Sequence, residues 1–212
     1  MKTDLLDLRN CDCMDLMREF PAGHFDLAIV DPPYGIGASE MQMGKGKNKK
    51  WANGNGWDNA TPDATYFKEL ARVSKRRVVW GGNYFDLPAT GGWLFWDKDK
   101  RKDTSFADGE LAWTDFLTTL KKITVRYDGF IGADVSRIHP TQKPVKLYEW
   151  LLRNYAEPGQ RIIDTHMGSG SIAIACHDFG AHLTASELHP DYYAAACERI
   201  ERETRQTTLF EA

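Results

Sequence analysis

The residues with the most specific chemistry are Asp31-Pro32-Pro33-Tyr34, which directly follow the apolar run FDLAIV at 25–30. The exocyclic amino group of an aromatic base is a weak nucleophile, because its lone pair is delocalised into the ring. The Asp31 carboxylate and the Pro32 carbonyl can accept its two N–H groups and direct the lone pair towards an electrophile. Pro33 would hold that carbonyl, and Tyr34 offers a face on which a flipped base can stack. The alternative is a strand that ends in a proline turn.

A second candidate site is the turn DTHMGSGSIA at 164–173, between an apolar run and a helical pattern. Gly168 and Gly170 allow a ligand to approach the backbone, and a helix N-terminus favours negative charge. Glu187 ends the next apolar run, where nucleotide-binding α/β folds place a carboxylate that binds a ribose diol. The spacing of Gly168, Gly170 and Ala173 also fits the loose dinucleotide fingerprint. A nicotinamide-dependent oxidoreductase and a plain β–α turn are therefore alternatives.

Strands that alternate with helices must position both candidate sites. Apolar runs predict strands at 5–10, 25–31, 77–82, 91–97, 121–127, 161–164 and 182–187. Helical spacing predicts helices at 14–20, at 145–155, from 171 to a stop at 180, and from about 190 onwards. This alternation indicates an α/β fold with a largely parallel sheet.

Composition limits the class of protein. A chain of 212 residues with 42% hydrophobic content fits one globular domain. The N-terminus lacks a signal peptide's apolar core, and no apolar run approaches the roughly 18 residues of a membrane span. The net charge of −3 means that nucleic-acid binding would need a local basic patch. Only one close pair occurs among the four cysteines, so we expect reduced thiols in a cytoplasmic protein rather than a zinc site. These cysteines are Cys11, Cys13, Cys176 and Cys197.

The order of the motifs resembles that of DNA methyltransferases that methylate amino groups with S-adenosylmethionine, in the group whose catalytic motif precedes the cofactor motif. Residues 31–34 resemble the catalytic motif, and HPTQKP at 139–144 resembles the segment that leads into the cofactor half. Residues 164–170 resemble the cofactor turn D-P-F-x-G-S-G. The resemblance covers most of the chain. It implies one Rossmann-like domain over 1–212, with a permuted chain order and seven mostly parallel strands, one of them reversed near an edge.

The resemblance implies S-adenosyl-L-methionine as cofactor and S-adenosyl-L-homocysteine as product. Glu187 would bind the ribose, and Asp12, within CDC at 11–13, would approach the adenine of the cofactor. The other implied cofactor-binding residues are Asp31, Lys143, Asp164, His166, Gly168, Ser169 and Gly170. Thr165 and His166 depart from the usual Pro and Phe, so His166 either contacts the methionine portion of the cofactor or is a tolerated variant. We expect no metal, since no second ligand stands at a suitable spacing from His166.

The methyl acceptor implied by the resemblance is the N6 amino group of adenine in DNA, methylated directly without a covalent enzyme intermediate. The N4 amino group of cytosine needs the same geometry on a smaller base, and Asp rather than Ser at position 31 favours adenine. A nicotinamide oxidoreductase would leave residues 31–34 unused. A catalytically silent DNA-binding protein would not need these residues intact.

Basic and aromatic residues in a long segment next to the catalytic motif predict contacts with DNA. Residues 38–60 show neither helical nor strand periodicity, so we expect a mobile loop that binds phosphates when DNA is present. Its candidate DNA-binding residues are Lys45, Lys47, Lys49, Lys50, Trp51 and Trp57. Residues 98–137 are left for target recognition, which predicts a short or relaxed target site.

The C-terminal residues 205–212 predict a flexible tail. Gln206, Leu209 and Phe210 resemble the short peptides that bind bacterial sliding clamps, and a frayed tail is the alternative. A homodimer would give the protein more surface for DNA.

Overall fold

The structure is a computed structural model that describes residues 1–37, 56, 58–100, 107–127 and 138–207, without the side chains of 206 and 207. Most of the predicted basic loop lies outside the described residues, including Lys45, Lys47, Lys49, Lys50, Trp51 and Trp57. The same is true of the proposed clamp-binding residues Leu209 and Phe210, and of the side chain of Gln206. Within the described part, no helix is both long and apolar enough to cross a membrane.

Eight strands form one sheet in the described residues. They are β1 (Leu6–Arg9), β2 (Leu27–Val30), β3 (Arg77–Trp80), β4 (Trp93–Asp97), β5 (Gly109–Thr114), β6 (Lys121–Thr124), β7 (Arg161–Asp164) and β8 (His182–Ser186). The order across the sheet is β1-β8-β7-β2-β3-β5-β4-β6. Only β5 runs antiparallel to its neighbours, β3 and β4. The α/β class and the single reversed strand near one edge are confirmed, whereas the described sheet has eight strands rather than seven.

In the part of the chain that the structure describes, five α-helices cover the two faces of this sheet. They are α1 (Cys13–Arg18), α2 (Ala64–Val73), α3 (Val145–Tyr155), α4 (Ser171–Phe179) and α5 (Pro190–Thr207). The predicted helix at 145–155 has the bounds of α3, and the other predicted elements agree to within a few residues. Helix α2 and strand β5 were not predicted. Strands β5 and β6 both lie within 98–137, so part of the segment proposed for target recognition belongs to the sheet.

Side chains of the central strand β2 supply the core on both faces. Leu27 and Ile29 join the cluster beneath α3, α4 and α5, whereas Ala28 and Val30 join the cluster beneath α1 and α2. This alternation follows from the two-residue period of a strand, and burial of both faces explains the continuous apolar run. The strand is therefore fixed along its whole length up to Asp31.

The register of the parallel strands brings the two predicted sites to one edge of the sheet. Strand β2 pairs with β7 through Leu27 with Ile162 and Ala28 with Ile163. Because these strands are parallel, their carboxyl ends meet at the same edge, where ligands bind in open α/β sheets. Asp31 follows the end of β2, and Asp164 is the last residue of β7.

Candidate active site

The loop after β2 holds Asp31 and Tyr34 against each other. The Tyr34 hydroxyl donates a hydrogen bond to Asp31 Oδ1 over 2.6 Å. The Tyr34 ring stacks on Tyr84, with centroids 4.9 Å apart and planes 12° apart. Gly81 has a φ of +67° and packs against the same ring, so that a Cβ at this position would lie 2.2 Å from Tyr34 Cε1. The ring is therefore positioned by a turn that requires glycine.

The buried ammonium group of Lys143 joins the catalytic motif to strand β5. Its side chain is 4% exposed, and Nζ donates to Asp31 Oδ2 and, over 3.1 Å, to Glu110 Oε2. The second oxygen of Glu110 accepts from Lys98 Nζ at 2.7 Å. Lys143, which we predicted as a cofactor-binding residue, thus has its ammonium on the predicted catalytic carboxylate. Asp31, Lys143, Glu110 and Lys98 are thus joined in a line of two lysines and two carboxylates, which we call the charged cluster.

Burial and ion pairing oppose each other in the charged cluster. Burial raises the pKa of Asp31, and the nearby Lys143 only partly offsets this effect. Burial would also raise the pKa of Glu110, but its two lysine partners outweigh burial and lower that pKa to about 2. Burial disfavours the charged form of Lys143, yet both carboxylates hold its pKa above the ordinary value. Glu110 and Lys143 are therefore ionised at neutral pH.

The cofactor-like turn is organised mainly by backbone groups. Gly168 and Gly170 have φ values of +52° and +74°, and the Gly168 N–H donates to Glu187 Oε2 over 2.9 Å. The other carboxylate oxygen of Glu187 accepts from the His189 N–H at 2.9 Å. Burial raises the pKa of Glu187. The turn and the predicted ribose-binding acid are in direct contact, as their spacing in the sequence suggested.

Asp164, at the start of the turn, is buried. Its Oδ1 accepts from the His166 N–H over 3.0 Å. Burial raises the pKa of Asp164 to about 8. The charge of Lys143 lowers this pKa from a distance, whereas Asp31 accepts a hydrogen bond from the same ammonium group.

Thr165 and His166, the two departures from the family turn, belong to a line of hydrogen bonds. The Tyr66 hydroxyl lies 2.6 Å from Thr165 Oγ1, which lies 2.9 Å from His166 Nδ1. Burial lowers the pKa of His166 to about 4, so the ring is neutral at physiological pH. The side chain therefore offers a neutral imidazole, which suits hydrogen bonding better than charge pairing.

A cavity of about 460 Å³ adjoins both motifs, because Pro33 and His166 line it together. This volume lies within the range of small-molecule sites. Asp12 caps the N-terminus of α1, where its side chain accepts from the Met14 N–H at 2.7 Å, and the adjacent Cys13 lines the cavity. Other lining residues are Met14, Arg18, Ala60, Thr61, Pro62, Asp63, Thr65 and Tyr66.

The segment HPTQKP lies between the catalytic loop and the cofactor-like turn. The Lys143 side chain reaches Asp31, while its carbonyl accepts from Ser171 Oγ over 2.7 Å at the start of α4. Ser169, in the same turn, is buried, and its backbone carbonyl accepts a hydrogen bond from the Arg199 side chain over 3.1 Å. Lys143 therefore contacts both predicted sites.

Several residues of the site were not predicted from the sequence. Tyr84 stacks on Tyr34, Tyr66 extends the Thr165–His166 line, and Glu110 and Lys98 complete the charged cluster. The one local signal for Glu110 is an acid at the start of the apolar stretch GELAWT. Its partners lie on other elements, so the sequence gives no direct sign of the pairing.

Comparisons with known proteins give a consistent result. A family model described as DNA methylase, of the N6 and N4 type, matches residues 72–198, more than half of the chain. YubD of Escherichia coli strain K12, whose name places it provisionally among the methylases, is 26% identical over 217 residues, covering 89% of this chain and 87% of its own.

Solved structures share the fold. The complex of M1.HpyAVI with SAM has a TM-score of 0.60 at 16% identity and covers 92% of this chain and 99% of its own. The cytosine-N4-specific PvuII DNA methyltransferase has a TM-score of 0.62 at 15% identity, and the match covers 97% of this chain and 93% of that enzyme. The Rossmann-like fold expected from the motifs is thus confirmed. By the extent of its match to the family model, the chain belongs to the N6/N4 family of DNA methylases.

Proposed function

We propose that this DNA methylase transfers the methyl group of S-adenosyl-L-methionine to the N6 amino group of adenine. The observation that carries the proposal is the placement of Asp31 and Asp164 at the ends of adjacent parallel strands. This placement puts an acceptor for an amino group beside a turn suited to a nucleoside cofactor. The matched family segment begins at residue 72, so the role of Asp31 to Tyr34 rests on this geometry and on the motif.

Residues of the turn, together with His166 in the cavity lining, would fit such a cofactor. Glu187 presents a carboxylate for a ribose diol. Gly168, where the nearest atom to a Cβ would lie at 3.6 Å, leaves the turn open to close approach, whereas the absence of a side chain at Gly170 makes room for Ile200. Neutral His166 lines the cavity, and Asp12 precedes the lining residue Cys13, so both would contact polar parts of the ligand. When bound, the cofactor supplies an electrophilic sulfonium methyl group.

In the proposed mechanism, Asp31 and the Pro32 carbonyl accept hydrogen bonds from the two N–H groups of the target amino group. The nitrogen lone pair is thereby directed towards the methyl carbon, and positioning supplies much of the acceleration. As the N–C bond forms, the S–C bond of the sulfonium would break with its electron pair on sulfur, and S-adenosylhomocysteine would leave. Positive charge develops on nitrogen at the same time, and the Asp31 carboxylate stabilises it. The methylated nitrogen then loses a proton, for which Asp31 is the adjacent acceptor. Stacking on Tyr34 would hold the base during transfer.

Asp rather than Ser at position 31 favours adenine within this proposal. Cytosine N4 is the second candidate, since the same acceptors suit its amino group and one structural neighbour is named as specific for cytosine N4. The two substrates differ in ring size but not in the chemistry required of Asp31 and Pro32.

The experiment incubates the protein with S-adenosylmethionine and unmethylated genomic DNA, then identifies methylated nucleosides by mass spectrometry. We expect N6-methyladenine with the wild type and none with Asp31→Ala. Detection of N4-methylcytosine instead would identify cytosine as the substrate and leave the mechanism unchanged. Absence of any methylated base, despite binding of S-adenosylhomocysteine measured by calorimetry, would contradict the proposed function.

Contacts with DNA through the basic loop are part of the proposal. Four lysines next to the catalytic motif would neutralise phosphates and offset the cost of extracting the base. Replacement of Lys45, Lys47, Lys49 and Lys50 by alanine should lower DNA affinity and reduce the slope of its salt dependence. An unchanged slope would contradict this role.

A further inference from the structure

Glu110 is linked to Asp31 through the Lys143 ammonium group, which contacts both carboxylates. It is the second residue of β5, the reversed strand, and its side chain is 23% exposed. One carboxylate oxygen lies 3.1 Å from Lys143 Nζ, and the other lies 2.7 Å from Lys98 Nζ. Lys143 is therefore shared between Glu110 and Asp31.

This sharing has a consequence for charge. Asp31, Glu110, Lys143 and Lys98 together carry two negative and two positive charges when all four are ionised. Buried charges are tolerated when they are paired and hydrogen-bonded, and the removal of one partner leaves an uncompensated ion. Without Glu110, the cluster would hold two ammonium groups and one carboxylate, and Lys143 would be left to Asp31 alone.

We propose that Glu110 is a positioning residue for methyl transfer: by sharing Lys143, it keeps that ammonium from fully neutralising Asp31. This inference rests on the proposed function, in which Asp31 accepts a hydrogen bond from the target amino group. Positive charge grows on that nitrogen during transfer, so a net positive charge in the charged cluster raises the barrier. Glu110 is not a catalytic residue, because it acts through Lys143.

The first test compares wild type with Glu110→Gln, which keeps the shape of the side chain and removes its charge. We expect kcat to fall about 10- to 100-fold, a loss that arises only in the transition state. The Kd for S-adenosylhomocysteine should stay within about twofold, because the binding cavity and the Glu187 contacts are unaffected. An unchanged kcat would overturn the proposal, and so would a Kd that rises as much as kcat falls.

Glu69→Gln is the matched control. Glu69 pairs with Arg72 on α2, and its side chain is 19% exposed, close to the value for Glu110. Both substitutions remove a half-buried carboxylate from an ion pair, but Glu69 is not part of the charged cluster. We expect wild-type kcat for Glu69→Gln. An equal loss in both variants would show general destabilisation and overturn the role of Glu110.

The second test is the acid side of the pH profile of kcat. The negative charge of Glu110 opposes ionisation of Asp31, so Glu110→Gln should move the acid limb to lower pH. The other titratable groups that interact electrostatically with Asp31 are Lys143, Tyr34, Tyr66, Tyr148 and Asp164. These are the same in both proteins, and Asp164, with a pKa of about 8, titrates at higher pH. An acid limb that stays in place would overturn the proposal.

The third test does not depend on activity, so it separates this inference from the proposed function. In a double-mutant cycle, Asp31→Asn and Glu110→Gln each leave Lys143 with one carboxylate, whereas the double variant leaves it with none. We expect the double variant to lose more free energy of unfolding than the sum of the single losses. Additive losses would overturn the sharing of Lys143 even if the protein methylates no DNA.

Should Glu110→Gln fail to fold, Glu110→Asp carries the test. The shorter side chain keeps the charge near the cluster but withdraws the oxygen from Lys143. We expect a lower kcat at unchanged Kd for S-adenosylhomocysteine, with the acid limb close to that of wild type. Wild-type kcat in Glu110→Asp would overturn the positioning role.

Discussion

The loop after β2 and the turn after β7 are neighbours at one edge of the sheet, yet they are held together in different ways. Asp31 lies in the charged cluster, to which four separate parts of the chain contribute side chains. The turn from Asp164 to Gly170 is held partly by its own backbone N–H groups: that of Gly168 donates to Glu187, and that of His166 donates to Asp164. In the proposed function, the first region places a charge for the reaction, whereas the second binds the cofactor.

This difference also separates the expected consequences of mutation. A change in the charged cluster alters the charge next to the reacting nitrogen, so it should act on kcat. A change in the turn alters contacts made equally before and during the reaction, so it should act on cofactor affinity. The comparison fails if the two kinds of variant have the same kinetic signature.

The largest effect is expected for Asp31→Ala. Loss of the acceptor removes both alignment and charge stabilisation, so kcat should fall by at least about 1,000-fold. The Kd for S-adenosylhomocysteine should change by less than about threefold, as measured by calorimetry, because Asp31 lies outside the backbone contacts of the turn. Near-normal turnover would contradict the mechanism, and a large rise in Kd would contradict the division between the regions.

The same difference explains what the sequence could predict. The turn is made of residues within seven positions of one another, with Glu187 one strand further on, so local spacing predicts their contact. Asp31 and Tyr34 are likewise close in sequence, and both were predicted. The pairing of Lys143 with Glu110 depends instead on the antiparallel placement of β5 beside β3 and β4. No local pattern encodes it, and β5 itself begins with Gly109 and Glu110, which favour strands weakly.

Helix α2 was missed for a related reason. Its first turn contains Thr65, Tyr66 and Phe67, which favour strands in isolation, and its helical conformation is supported by packing of Tyr66, Leu70 and Val73. Asp63 caps it by accepting from the Thr65 N–H at 2.8 Å. Tertiary burial therefore outweighs local propensity here. Tyr66 then reaches Thr165, so an unpredicted helix contributes to the predicted turn.

A smaller loss is expected for Gly81→Ala in the catalytic region. The new Cβ would meet the Tyr34 ring at 2.2 to 2.6 Å, and the residue has a φ of +67°. The backbone strain costs about 1 kcal/mol, and displacement of the packed ring adds about 1 to 3 kcal/mol. We expect a loss of about 2 to 4 kcal/mol in the free energy of unfolding, measured with urea, together with a lower kcat.

Gly23→Ala is the control for backbone strain. Gly23 has nearly the same φ of +65°, but nothing lies within 4 Å of a Cβ there. The Gly23→Ala variant should lose about 1 kcal/mol in the free energy of unfolding and keep the wild-type kcat. In the turn, Gly170→Ala would meet the terminal Cδ1 of Ile200 at 2.6 Å, which can rotate away more easily than an aromatic ring. Equal losses for Gly81→Ala and Gly23→Ala would show that Tyr34 is not held by close packing.

An effect of comparable or smaller size is expected for Glu187→Ala in the turn. A carboxylate that binds a ribose diol contributes charge-assisted hydrogen bonds, so its loss should raise the Kd for S-adenosylhomocysteine about 10- to 100-fold. At saturating cofactor, kcat should remain within about threefold of wild type. Glu198→Ala, an exposed acid on α5, serves as control. Unchanged affinity in Glu187→Ala would remove Glu187 from the cofactor site.

The smallest effect concerns pH and the two buried aspartates. The pKa of Asp164 is raised from 3.8 to about 8 in the folded protein, so between these values the folded state binds more protons than the unfolded state. The free energy of unfolding therefore falls as pH rises through this window. Asp164→Asn removes the titration and can still accept from the His166 N–H. Its stability relative to wild type should rise by about 1 kcal/mol per pH unit between pH 5 and 7.

Asp31→Asn sharpens this contrast, because burial raises the pKa of Asp31 as well, but here Lys143 opposes the shift. Removal of the Asp31 charge takes a partner from a buried ammonium group, so this variant should be less stable than wild type at pH 7. Urea unfolding of both variants between pH 5 and 8, followed by tryptophan fluorescence, distinguishes the two cases. Parallel pH curves for Asp164→Asn and wild type would show that Asp164 ionises freely in the folded protein. The two regions would then differ in their partners but not in how they tolerate charge.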